Sequence, residues 1–102
     1  MKYGLIKQDL NAIVEFISQF DEIDKAILFG SRAKGNYKPG SDIDIAIYGE
    51  NISMDVVSSL RSLLEDQSPM PYLFDVIDGT HLDHKELKEH IQRVGIVIFA
   101  KS

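Results

Sequence analysis

The chain contains no cysteine. Disulfides, thiolate metal sites and a cysteine nucleophile are therefore excluded, and a reducing compartment is compatible with the sequence. Long apolar runs are missing too: no stretch approaches the ~20 residues of a membrane-spanning helix. The opening Met1-Lys2-Tyr3-Gly4 does not lead into the apolar region of a signal peptide. A cytoplasmic setting without membrane contact is expected. Positive charge is in short supply, since 11 Lys and Arg against 16 Asp and Glu leave a net charge of -5. Direct nucleic-acid binding is unexpected on that balance, because phosphate-backbone contacts need Lys and Arg. Repeats, low-complexity tracts and linkers are absent, which points to a single domain over 1–102. The composition, 44% hydrophobic and 26% charged, is that of an ordinary globular protein. A chain of this size has a modest core, so homo- or hetero-oligomerisation would be unsurprising.

Helical and extended patterns alternate along the chain. Ile6, Leu10, Ile13, Val14, Ile17 and Phe20 recur at helical spacing and predict an amphipathic helix over about residues 5–20. Residues 25–29 read as a short buried strand that ends at Gly30. Residues 42–48 alternate, with Ile43, Ile45 and Ile47 on one face and Asp42, Asp44 and Ala46 on the other. A second helix is expected over 53–67, with Ser53 as N-cap and Met54, Val57, Leu60 and Leu64 facing inward. Pro69 and Pro71 block its continuation. A third strand follows over 72–77. Asp83 and Glu86 have capping-box spacing and open a third helix with Leu87, Ile91 and Val94 inside. Gly95 suits the position after that helix, and 96–99 form a last strand. The interleaving predicts an α/β arrangement on a small sheet.

The run GSRAKGNYKPGSDID at 30–44 carries the chemistry. Gly30 and Ser31 follow a strand directly, and a small residue there lets the backbone approach a ligand closely. If Ser31 opens a short helix, its N–H groups and hydroxyl can bind phosphate oxygens. Arg32 and Lys34 can add charge-assisted contacts, or can stand in solvent like other basic loop residues. Asp42 and Asp44 share one face of one strand, where like charges repel. A divalent cation turns that repulsion into attraction, and Mg²⁺ is commonly held by one or two carboxylates together with substrate phosphates. Asp75, inside the apolar stretch Leu73-Phe74-Asp75-Val76-Ile77, is costly to bury unless it is paired or ligates a metal. It can complete a cluster of three if its strand lies beside the Asp42–Asp44 strand. Asp78 is the other candidate for that role.

Taken together, Gly30-Ser31, Asp42-Ile43-Asp44 and Asp75 resemble the pattern of the polymerase β nucleotidyltransferase superfamily. The Ser31-to-Asp42 spacing and the small size match its minimal members, the MntA-type antitoxins. The resemblance implies a polymerase-beta-like fold, a small mixed sheet flanked by helices. It implies two Mg²⁺ ions and transfer of a nucleoside monophosphate, AMP from ATP or the equivalent from another NTP, with release of pyrophosphate. Asp42, Asp44 and Asp75 would be the catalytic and metal-binding residues, with Asp75 acting as or positioning the base. Gly30, Ser31 and Arg32 would meet the triphosphate. The acceptor would be brought by a partner, a HEPN-domain toxin. Two other readings stay open: an antitoxin that neutralises its partner by contact alone, and a nucleotidyltransferase acting on a small molecule of the aminoglycoside kind.

His81, His84 and His90 lack metal-ligand spacing and are expected in solvent. Tyr37 can stack on a base or be an ordinary loop aromatic. Lys85, Lys88 and Arg93 read as a solvated helix face.

Overall fold

The computed structural model describes residues 2–66 and 70–101. The element order is α1 (Lys7–Ser18), β1 (Lys25–Phe29), α2 (Gly30–Lys34), β2 (Ile43–Tyr48), α3 (Met54–Asp66), β3 (Phe74–Asp78), α4 (Lys85–Val94) and β4 (Ile96–Ala100). The four strands form one mixed sheet in the order β3-β2-β1-β4. β1 pairs antiparallel with both β2 and β4, while β2 and β3 run parallel, joined by α3 as the crossover. This is the α/β arrangement on a small sheet that the alternation of patterns predicts, and the mixed, helix-flanked sheet that the resemblance implies. Among the described residues no helix is long and apolar enough to cross a membrane.

Strand period 2 divides the sheet into two covered faces. On one face Ala26, Leu28, Ile43, Ile45, Ile47, Phe74 and Val76 join Ile13 and Ile17 of α1 and Leu60 and Leu64 of α3 in the main core. On the other, Phe29, Ala46 and Ile91 form a smaller cluster under α4, with Ile27, Tyr48, Ile77 and Leu87 packed around it. Asp44, two residues before Ala46 on the same strand, belongs to this second face.

Three local expectations change. The buried row of α3 is Val56, Leu60 and Leu64, and Met54 is 77% exposed. A helix turns about 100° per residue, so Met54 lies about 120° round from Leu60 and cannot share its face. Ser53 does cap α3, its Oγ accepting from Val56 N at 3.3 Å. The N-cap of α4 is His84, whose Nδ1 accepts from Leu87 N at 3.1 Å, in place of Asp83. Gly95 follows α4 with an extended backbone, φ -64° and ψ 147°. Its role is room: a Cβ there would strike the Ile91 carbonyl and come within 2.6 Å of Ile27 Cγ2. The expected end of α3 at Gln67 and the blocking role of Pro69 lie outside the described residues. Beyond them, Glu65 Oε2 accepts from Phe74 N at 2.9 Å and ties the end of α3 to the start of β3.

Leu60→Ala should lower the unfolding free energy by ~2–5 kcal/mol, because it empties a fully buried site. Met54→Ala should change it by no more than ~0.5 kcal/mol. Urea denaturation of the two variants checks both values.

Candidate functional site

The site grows from the N-terminal end of β2 and its two neighbours. Asp44 is the second residue of β2, and the register sets it opposite Phe29 on β1 and Asp75 on β3. Neighbouring strands lie about 4.8 Å apart, so the carboxylates of Asp44 and Asp75 stand side by side. Asp42 sits just ahead of the strand, exposed, and Asp75 is exposed as well. Asp78 faces elsewhere. Three residues along an alternating strand reverse the side-chain direction, and Asp78 lies opposite Ile47. Its carboxylate is taken by His81, Oδ1 accepting from the backbone N at 3.1 Å and Oδ2 lying 2.6 Å from Nδ1. Of the two acids, Asp75 is therefore the one beside Asp44.

Gly30 closes the site from below. It has φ +76°, a conformation that favours glycine, and a Cβ there would run into the Asp44 carboxylate. The short helix α2 starts at Gly30, one residue ahead of Ser31. The Gly30 N–H is not free: it donates to Nε2 of His90 at 3.1 Å. The His90 ring meets Phe29 edge to face, with centroids 6.2 Å apart and planes at 81°.

Arg32 departs most from expectation. It is 3% exposed and so does not stand in solvent. Nε and Nη2 both donate to the Ser41 carbonyl, at 3.1 and 2.9 Å, and Nη1 donates to the Tyr3 carbonyl at 3.1 Å. The guanidinium lies over the rings of Tyr72 and Tyr37, 4.9 and 5.4 Å from their centroids. A planar fork suits such a double contact where an ammonium would not. Arg32 thus clamps the N-terminal turn to the loop that delivers Ser41 and Asp42. Tyr37 is a partner of this clamp.

None of the histidines is idle. His84 caps α4, His81 binds Asp78, and His90 is half-buried against Gly30. Sequence reasoning missed His90 and Tyr72. Each acts across the fold, His90 on a residue 60 positions away, and no local pattern announces such a contact.

Crowding of carboxylates shapes the electrostatics. The Asp44 pKa is raised from 3.8 to about 6, first by burial, then by Asp75 and then by Asp42. All the donors here are hard oxygens, the type that suits Mg²⁺. Among the described residues no three acidic or histidine side chains enclose a metal position by themselves.

In metal-free protein, carboxyl-detected NMR should find Asp44 titrating near pH 6. Folding raises this pKa, so the native state binds the proton more tightly than the unfolded chain. The resulting stabilisation is complete below 3.8 and is lost as pH rises through about 6. Asp75→Asn should lower the value without restoring 3.8, because burial, the largest cause, remains. Arg32→Lys should cost ~1–3 kcal/mol in denaturant melts, because it breaks the double contact with the Ser41 carbonyl.

Comparison with known proteins agrees with this geometry. The sequence profile of the family described as "Polymerase beta, Nucleotidyltransferase" matches residues 11–102. A candidate protein adenylyltransferase of Methanocaldococcus jannaschii is 24% identical over 96 residues, covering 90% of each chain. The fold is similar to a chain of a crystallised toxin–antitoxin complex with AMP-PNP, at TM-score 0.76 and 20% identity, over 91% of this chain and 74% of that one. It is also similar to a chain of the complex between tri-AMPylated Shewanella oneidensis HEPN toxin and MNT antitoxin, at TM-score 0.70 and 18% identity, over 93% and 72%. At these identities the structural likeness is one of fold. The profile match spans most of the chain and includes the Gly30–Ser31 turn and all three aspartates, so the chain belongs to the polymerase beta nucleotidyltransferase family.

Proposed function

We propose that this nucleotidyltransferase is a Mg²⁺-dependent protein adenylyltransferase of the antitoxin type, moving AMP from ATP to a hydroxyl of a HEPN-type toxin. The observation that carries the proposal is the pairing of Asp44 with Asp75 beside the glycine-pinned turn at Gly30. ATP is supported by the AMP-PNP in one matched complex, and a HEPN toxin as acceptor by the AMPylated toxin in another.

In this reading the backbone at Gly30 and Ser31 meets the triphosphate at close range, where a side chain on residue 30 would obstruct it. Asp42 and Asp44 would hold Mg²⁺, with Asp75 as the third carboxylate. Bound Mg²⁺ supplies charge neutralisation on the triphosphate and acidifies the attacking hydroxyl. Asp75, exposed at the edge of the site, orients that hydroxyl and accepts its proton. The hydroxyl oxygen forms a bond to the α-phosphorus as the bond from the α-phosphorus to the β-bridging oxygen breaks. Pyrophosphate leaves with that electron pair. With its pKa raised to about 6 by burial, Asp75 and Asp42, Asp44 is mostly ionised at neutral pH, and protons compete with a cation for it as pH falls through that value.

A contact-only antitoxin remains the second reading. The observation that favours it is exposed apolar surface beside the site: Leu73, 66% exposed, immediately precedes β3, and its carbonyl accepts from Ile43 N.

With α-labelled ATP, Mg²⁺ and the co-expressed toxin, label should pass to the toxin. Asp42→Asn with Asp44→Asn should reduce transfer by at least ~100-fold while the complex still forms. Toxin neutralisation that survives the double substitution would favour contact alone, and transfer that survives it would overturn the assignment of these carboxylates.

A further inference from the structure

Resting on the triphosphate reading of the Gly30–Ser31 turn, we infer that His90 is a positioning residue for nucleotide binding: its Nε2 lone pair holds the Gly30 N–H and so fixes where the turn presents its remaining groups. The geometry is specific. A backbone N–H can only donate, so at 3.1 Å Nε2 must be the acceptor and the ring proton sits on Nδ1. The ring is held edge-on to Phe29, the residue just before Gly30, so His90 grips both sides of the strand-to-turn junction. Gly30 itself is fixed against the Asp44 carboxylate and adopts φ +76°. The glycine that makes room for substrate is also the residue with the widest backbone freedom. His90, projecting from α4, restrains it where its own missing side chain cannot.

Two consequences follow. The Gly30 N–H is withdrawn from the set available to phosphate, and Ser31 becomes the first donor of the turn. Loss of His90 then weakens nucleotide binding by loosening the turn, with no change in any group that touches the nucleotide. One neutral hydrogen bond sets the scale, about five- to tenfold in affinity.

The test compares wild type, His90→Gln and His90→Leu. A Gln side-chain oxygen reaches about as far as Nε2 and accepts the same bond, whereas Leu cannot. In ¹H–¹⁵N spectra the Gly30 amide should shift, and should exchange faster with solvent, in His90→Leu, and should stay close to wild type in His90→Gln. Calorimetry with Mg²⁺ and a non-hydrolysable ATP analogue should give a Kd raised about five- to tenfold in His90→Leu and within about twofold of wild type in His90→Gln. If His90→Leu does not fold, the wild type still decides: ¹⁵N correlation of the ring should find Nε2 unprotonated, and a protonated Nε2 overturns the inference. Unchanged affinity in His90→Leu also overturns it. So does tighter binding, which would mean that His90 competes with phosphate for the N–H. Failure of the wild type to bind the analogue removes the triphosphate reading and this inference with it, whereas a wild type that binds alongside a His90→Leu variant of equal affinity removes the inference alone.

Discussion

Two carboxylates held opposite each other across a parallel strand pair are the constraint on which the rest of this structure turns. Like charges in that position destabilise a sheet, and parallel pairing brings no tight turn to enforce it. The register has to be imposed from outside the pair. Here β2 is buried on both faces, and Ile43, Ile45 and Ile47 lock one of them into the main core. A slip of one residue would send all three isoleucines to the wrong side. The α3 crossover, with Glu65 bonded to the first amide of β3, sets the other partner. Core packing thus holds Asp44 against Asp75 despite their repulsion, which adds to burial, the larger cause, in raising the pKa of Asp44.

Much of this was legible in the sequence because it rests on local periodicity. The alternation of residues 42–48 located β2 and the face that Asp44 occupies. The Ser53 cap and the apolar spacing of α1 were visible for the same reason. The neighbour relation between β2 and β3 was a condition the sequence could pose and only the fold could meet. What stayed hidden was long-range. Arg32 looked like a phosphate ligand because its neighbours are glycine, serine and lysine, yet its partners are the carbonyls of Tyr3 and Ser41 and two tyrosine rings. Met54 obeyed an apolar pattern but sat at a helix start, on the wrong side of the turn. Asp83 had the right spacing to cap α4, and His84, one residue later, took the position.

The basic residues illustrate a division of labour. A cationic loop in an acidic chain invites an electrostatic explanation, and Lys34 and Lys38 are indeed exposed. Arg32, the one buried cation among the described residues, serves architecture: it joins the N-terminal turn, the loop before β2 and Tyr72 ahead of β3. The loop that delivers Asp42 therefore depends on a residue ten positions earlier, bonded to the Ser41 carbonyl. A site of this kind is sensitive to changes that leave every reacting group intact.

β3 is the outermost strand on its side of the sheet, and this has a bearing on fidelity. Asp75 lies at a margin with no further strand beyond it, so a protein-sized acceptor can present its hydroxyl without entering a cleft. Such a margin admits water just as freely. In the proposed reaction, ATP held there with nothing docked faces hydrolysis as its principal competing fate. Selection against that waste would then belong to the arriving acceptor of the proposed reaction, whose own surface would have to supply the missing wall.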